Sequence, residues 1–187
     1  MKLLTMTNRT TEDVFSLLDN LLKWTKSQIG NLNVVYQDVD AVEVVDSVID
    51  VFNMVAGLKK ITIREEKPEK LPVCTDIDML KTIIRNLLSN AIKFSNENSE
   101  VLVKMEEQGD TVVVSVKDSG CGIDEEGQQK LLHTDTHFST FGTNNEEGSG
   151  LGLLLCQDFA VKIGGKLWFT SKEGEGSTFY FSIPLKK

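Results

Sequence analysis

Apolar and polar positions along this chain follow two rhythms, and the changes between them mark out its elements. Residues 11–29, TEDVFSLLDNLLKWTKSQI, place Val14, Leu17, Leu18, Leu21, Leu22, Trp24 and Ile29 on one broad face, the spacing of an amphipathic helix. Gly30 and Asn31 read as its stop. NVVYQDVD from Asn33 reads as a short strand, and Val42 to Leu58 returns to helical spacing through Val44, Val45, Val48, Ile49, Phe52 and Val55. ITIREE and LPVCTD follow as short extended pieces, because Pro68 and Pro72 exclude a continuous helix. Thr75 to Asn96 is predicted to be a helix whose buried stripe is Ile77, Leu80, Ile83, Ile84, Leu87, Leu88 and Ala91. Thr75 and Asp78 read as its capping box. Val101–Glu106 and Thr111–Lys117 are alternating runs that flank a Gly109-Asp110 turn, the pattern of a hairpin. Residues 124–147 are polar and small, with a brief helix expected at Gln128–Leu132, and a loop of this length is typically a functional lid or a disordered segment. A last helix carries Leu154, Phe159 and Ile163 and stops at Gly164-Gly165, and an aromatic-rich hairpin turns at Glu173–Gly176.

Composition narrows what these elements can build. The 187 residues are 40% hydrophobic and 26% charged, values of a soluble globular protein with one sizeable core plus an appendage. No apolar run approaches the roughly 20 residues of a membrane span, and the N-terminus lacks a secretory pattern. A spanning part of a membrane receptor would lie outside this chain. The net charge of -8 argues against broad binding to nucleic acid or anionic lipid. Any polyphosphate site must therefore be favourable locally, through a metal, a lysine and backbone amides. Cys74, Cys121 and Cys156 form no paired ligand pattern, and a reduced, cytoplasmic compartment accounts for them.

Three short stretches carry candidate chemistry. Asn86, Asn90 and Lys93 stand at i, i+4 and i+7 on one flank of the central helix. Amide oxygens are hard ligands suited to Mg²⁺, and lysine is a common point charge for phosphate. Asp118-Ser119-Gly120-Cys121-Gly122-Ile123 ends a strand with a carboxylate that can accept from an exocyclic amine and glycines that let backbone approach a flat ring. Gly148-Ser149-Gly150-Leu151-Gly152-Leu153 runs into a helix whose first amides suit phosphate. Singly, these are also what a surface helix, a strand-ending turn and a flexible loop look like. His133 and His137 are spaced by four, but no third ligand set accompanies them and solvent-facing lid positions are expected. No P-loop pattern occurs, and the dinucleotide fingerprint fails where Leu153 replaces glycine.

In the order NLLSNAIKF, DSGCGI, long loop, GSGLGL, the chain resembles the catalytic, ATP-binding domain of bacterial sensor histidine kinases, the three blocks being similar to that family's N, G1 and G2 boxes. The resemblance covers roughly residues 33–185. It implies an α+β fold: a two-layer α/β sandwich, with a mixed, mostly antiparallel sheet and helices on one face, plus the N-terminal amphipathic helix. It assigns Asn90 to Mg²⁺, Lys93 to the ATP phosphates, Phe94 to the nucleotide's side and Ile123 to a wall of the base site. Asp118 would accept from the adenine amino group, with Gly120 and Gly122 permitting close approach. Gly148, Ser149, Gly150, Leu151 and Gly152 would cradle the phosphates, and Ser177 would support Asp118 through water.

Asn86 separates branches of the wider superfamily. Hydrolysing members resemble one another in placing glutamate four residues before the metal-binding asparagine, where it serves as general base. Asn86 has no such basicity, so phosphoryl transfer to a partner is favoured, with Asn86 as the candidate catalytic residue orienting the γ-phosphate. The alternatives are an ATPase of the same superfamily and a degenerate, non-catalytic docking module. Residues 1–32 resemble the second helix of the dimerisation hairpin, followed by the catalytic domain at 33–187. The chain is therefore expected to be a fragment that lacks the phosphoacceptor histidine, with a leader at MKLL. Its expected partners are a histidine-bearing dimerisation hairpin and a response regulator receiver domain, and the native protein is expected to be a homodimer. No Lys or Arg occurs from Thr134 to Gln157, so Ser139, Thr140 or Thr143 is expected to replace the basic lid residue of some relatives.

Overall fold

The computed structural model describes residue 25, residues 33–131, 142, 143 and 146, and residues 150–185. The chain forms two compact units, Met1–Asn33 and Val34–Lys187, and the second carries all of the described strands. The amphipathic segment at 11–29 lies outside the described residues apart from Thr25.

The second unit opens with a pair of aspartates that start its two longest helices. Strand β1 (Gln37–Asp40) leads into α1 (Ala41–Leu58), and β3 (Pro72–Thr75) leads into α2 (Ile77–Phe94). β1 and β3 pair antiparallel as a two-stranded ribbon. Asp40 caps α1 by accepting from the Val42 amide at 3.0 Å, and the same oxygen takes the Leu71 amide at 2.9 Å. Asp76 caps α2 by accepting from the amides of Asp78 and Met79, each at 3.0 Å, while its other oxygen takes the Val35 amide at 2.9 Å. Each cap thus ties its helix to the neighbouring segment of the ribbon.

Here the structure corrects the capping box expected at Thr75. The Thr75 hydroxyl is buried without a hydrogen-bond partner, and Asp76 performs the capping. The strand expected from Asn33 begins only at Gln37, after exposed Val35 and Tyr36. The brief helix expected at Gln128–Leu132 is α3 (Glu125–Lys130), drawn forward because Asp124 accepts from the Gly127 amide and fixes its start.

The main sheet has the order β2-β4-β5-β7-β6, from β2 (Thr62–Glu66), β4 (Glu100–Gln108), β5 (Thr111–Lys117), β7 (Gly176–Pro184) and β6 (Leu167–Lys172). Only β2 and β4 run parallel; the other three pairings are antiparallel. Gly109, with φ +62°, makes the β4–β5 turn expected from the sequence. Alternation divides the sheet into two faces. The register Val103–Val116–Phe179–Phe169 faces inward, and the Phe169 and Phe179 rings lie 5.6 Å apart, tilted by 30°. The opposite register, Lys104–Ser115–Tyr180–Trp168, stays partly solvated. On the inward face lie the helices, with α2 between α1 and α4 (Gly152–Lys162). Leu80, Ile83, Ile84, Leu87 and Leu88 of α2 are fully buried, so this helix is the spine of the helical layer. This is the α+β sandwich, mixed and mostly antiparallel, that the sequence predicts. Among the described residues no helix is long and apolar enough to cross a membrane.

The two threonine–aspartate neighbours separate the cap from its alternative. Asp76→Ala is expected to lower stability by about 1–2 kcal/mol through loss of the cap and the Val35 bond, whereas Thr75→Val is expected to be neutral or stabilising because it removes a buried, unpaired hydroxyl. Urea midpoints of the two variants measure both, and a larger loss for Thr75→Val would restore the capping box.

Candidate functional site

The long central helix brings its polar flank toward the start of α4. Asn86, Asn90 and Lys93 are all half-buried on α2. The Asn86 amide nitrogen donates to the Thr82 carbonyl at 2.9 Å, which orients the side chain. Its oxygen then lies against Gly152, where a β-carbon would come within 2.6 Å of it. A side chain at Gly152 would have to push the Asn86 amide aside, so glycine as the first residue of α4 lets the helix start sit beside Asn86. The Lys93 ammonium sits 4.6 Å from the centroid of the Phe94 ring, a cation–π contact at the last turn of α2.

The start of α4 differs from those of the other helices. Asp40, Asp76 and Asp124 each supply a carboxylate to the amides of α1, α2 and α3. The N-cap of α4 is Leu151, which makes no side-chain cap, and no acidic residue occupies the first turn. Its positive end is therefore not neutralised by a cap of its own. Gly150, at φ +69°, turns the chain into it. Gly148 and Ser149 lie outside the described residues, as do His133, His137, Ser139 and Thr140.

Asp118 stands where β5 ends, 3% exposed. Its Oδ1 accepts from the amides of Gly120 at 2.9 Å and Ser177 at 3.2 Å, and its own amide donates to the Ser177 carbonyl at 2.9 Å. Burial pushes its carboxyl above the usual carboxylate range, and the two amide donors pull it part of the way back. Ser177 thus supports Asp118 directly through its backbone amide and carbonyl. Its hydroxyl lies 2.9 Å from that of Ser171. Ser171, which sequence reasoning missed, also accepts from the Ile123 amide at 2.9 Å and so fixes the loop after Asp118. Gln128 holds the same loop by donating to the carbonyls of Ile123 and Ser171. Gly122, with φ +66°, lies against the Lys172 carbonyl.

Gly120 joins the two halves of the site. A β-carbon there would collide with the Phe94 carbonyl and stand 2.9 Å from the Asp118 carboxylate. The loop carrying Asp118 is therefore packed onto the end of the helix that carries Asn86, Asn90, Lys93 and Phe94. A second missed residue, Lys59, reaches this helix end from α1, donating to the carbonyl oxygens of Ile92 and Lys93. Nothing in the sequence separates it from its neighbour Lys60, which is exposed. Thr143, one of the hydroxyls expected to replace a basic lid residue, lies against the Lys93 and Ser95 carbonyls.

The buried carboxylate has a consequence for stability. Its folded-state pKa lies above the unfolded value, so the native state loses stability as pH rises from the ordinary carboxylate range through the raised value. Asp118→Asn keeps an acceptor for both amides and removes the buried charge. The variant without nucleotide is expected to be at least as stable as the parent at pH 7, with the difference shrinking below pH 4. Urea midpoints at the two pH values check this, and a variant much less stable at pH 7 would contradict it.

Known proteins share this sequence and fold. Residues 75–187 match the family described as histidine kinase-, DNA gyrase B-, and HSP90-like ATPase. The adaptive-response sensory kinase SasA of Rippkaea orientalis is 30% identical over 90% of this chain and 43% of its own length. The sensor histidine kinase WalK of Bacillus subtilis is 28% identical over 100% of this chain and 31% of its own. This chain thus spans less than half of these curated relatives. The nucleotide-free catalytic domain of histidine kinase ThkA is 31% identical, with a TM-score of 0.69 over 80% of this chain and 95% of that one. The chain belongs to the histidine kinase-, DNA gyrase B- and HSP90-like ATPase family, and it carries the ATP-binding catalytic domain of a sensor histidine kinase.

Proposed function

We propose that this domain binds Mg²⁺-ATP and transfers the γ-phosphoryl group to a histidine on a dimerisation helix hairpin, from which a response regulator receiver domain takes it. The observation that carries the reading is the seating of Gly120 on the Phe94 carbonyl, which joins the carboxylate of Asp118 to the Lys93 end of α2. Asp118 accepts from the adenine amino group, with Ile123 and Phe94 flanking the base. Lys93 and the amides at the start of α4, from Gly148 to Gly152, take the phosphates.

The donor set on α2 fits magnesium better than a softer metal. The half-buried Asn90 amide supplies one hard oxygen on the flank that faces the phosphates. Asn90 would hold Mg²⁺ together with phosphate oxygens and water, and the ion would neutralise charge on the transferring group. The imidazole nitrogen of the acceptor histidine forms the new P–N bond as the bond to the β–γ bridging oxygen breaks, and ADP leaves. This chain contributes positioning and charge, which is most of what phosphoryl transfer requires. Asn86 acts by orientation. Its amide nitrogen is committed to the Thr82 carbonyl, and a carboxamide has no basicity to offer a water molecule. That favours transfer over steady hydrolysis.

In this reading residues 1–32 contribute the second helix of the dimerisation hairpin, residues 33–187 form the catalytic domain, and the native protein is a homodimer. The domain works on the cytoplasmic side, where ATP is supplied. Cys74, Cys121 and Cys156 form no disulfide, which is consistent with that compartment.

Incubation with labelled ATP, Mg²⁺ and a histidine-bearing hairpin is expected to give acid-labile phosphate on the hairpin. Steady phosphate release without a hairpin would favour the ATPase reading, and no calorimetric heat with a non-hydrolysable ATP analogue would favour a docking module. Asn90→Ala is expected to weaken Mg²⁺-dependent ATP binding by about tenfold or more, roughly 1.4 kcal/mol; unchanged affinity with magnesium present rejects the assignment. Asp118→Asn is expected to erode the preference for ATP over GTP by about tenfold, the scale of one hydrogen bond to a charged acceptor. Equal discrimination by parent and variant would count against the base assignment.

A further inference from the structure

Among the described residues Lys59 is the one buried lysine, 7% exposed at the C-terminal cap of α1. Its ammonium donates to the carbonyl oxygens of Ile92 at 3.0 Å and Lys93 at 2.8 Å, and to the Thr143 hydroxyl at 2.6 Å. The Glu146 carboxylate lies 3.2 Å away and is itself only 17% exposed. A buried ammonium is tolerated only when paired and hydrogen-bonded, and these four oxygens meet that condition. The partners also explain why a cation belongs here. The last carbonyls of α2 lack intrahelical donors and form the negative end of its dipole.

The Lys93 carbonyl is also gripped by the segment that carries Glu146. The Thr143 amide donates to the Lys93 carbonyl at 3.2 Å, its hydroxyl lies 2.8 Å from the Ser95 carbonyl, and the Gly142 amide donates to the Glu146 carbonyl at 2.9 Å. Gly142 packs so closely that a β-carbon would stand 2.6 Å from Cγ of Lys93. The Lys93 backbone and the root of its side chain are therefore held by Lys59, Thr143 and Gly142 together. Residues 134–157 contain no Lys or Arg of their own, so the cation that anchors Thr143 and Glu146 comes from a different helix.

We propose that Lys59 is a positioning residue for the phosphate half of the site: it locks the end of α2 to Thr143 and Glu146 and thereby fixes how Lys93 presents its ammonium. Lys59 acts through Lys93 and touches no substrate. The inference rests on Lys93 as the phosphate ligand and goes beyond it by assigning the residue that orients it.

The test compares ATP with adenosine, which lacks the phosphates and reads only the Asp118 side. Lys59→Met keeps length and loses charge. In the folded variant ATP affinity is expected to fall tenfold or more while adenosine affinity holds, so that the ratio of the two collapses. The double variant Lys59→Met/Glu146→Gln removes the stranded carboxylate, and it is expected to regain thermal stability without regaining ATP affinity. Thr143→Val, which leaves Lys59 in place, is expected to lower the same ratio by a smaller factor, and it decides the matter should Lys59→Met fail to fold. An unchanged ratio in the folded variants, or equal losses for ATP and adenosine, would overturn the proposal and leave Lys59 as a buried helix cap only. A parent protein that binds no ATP would instead overturn the assignment of Lys93.

Discussion

The carbonyl end of α2 is the constraint on which the rest of this site depends. A helix terminus leaves acceptors that need donors, and this one ends inside the domain, where water does not reach all of them. The chain satisfies it from several directions. Lys59 approaches from α1, Thr143 comes from the loop before α4, and Gly120 packs its backbone against the Phe94 carbonyl. Because Lys93 and Phe94 belong to this terminus, satisfying its hydrogen bonds also determines where the Lys93 ammonium and the Phe94 ring stand. Structure and function share the same contacts, and a change made for one reaches the other.

Electrostatics follow the same economy. The protein carries a net charge of -8, yet its ATP site has to attract a polyanion. Carboxylates neutralise the starts of α1, α2 and α3, whereas the start of α4 is left to glycines and a leucine. The one deeply buried carboxylate on the loop after β5 is Asp118, which in the proposed reading would accept from the exocyclic amine of the base. Its raised pKa measures the cost of keeping that acceptor dry. The domain therefore holds a group that disfavours its own empty folded state, a common arrangement at binding sites.

Much of this was legible in the sequence, because side-chain periodicity is what the sequence records. The alternation in Val101–Lys117 specified the β4–β5 hairpin, and the stripe from Leu80 to Ala91 specified the buried face of α2. The spacing of Asn86, Asn90 and Lys93 placed them on one flank. What escaped was of another kind. Thr75 and Asp76 are both good caps and differ by one position, so only the path of the chain chooses between them. Lys59 and Lys60 are chemically identical, and only the fold buries one of them. Ser177 meets Asp118 through its amide and carbonyl, groups that every residue has, so no side-chain pattern announces the contact.

In the proposed reading one nucleotide spans both halves of this site, its base against Asp118 and its phosphates between the flank of α2 and the start of α4. A crystal structure of the domain with magnesium and a non-hydrolysable ATP analogue tests this most directly. The adenine amino group is expected within hydrogen-bond distance of the Asp118 carboxylate, the ion on the Asn90 oxygen, and Lys93 on a phosphate of the same molecule. A nucleotide bound with its base away from Asp118, or with phosphates that reach neither Asn90 nor Lys93, would contradict it.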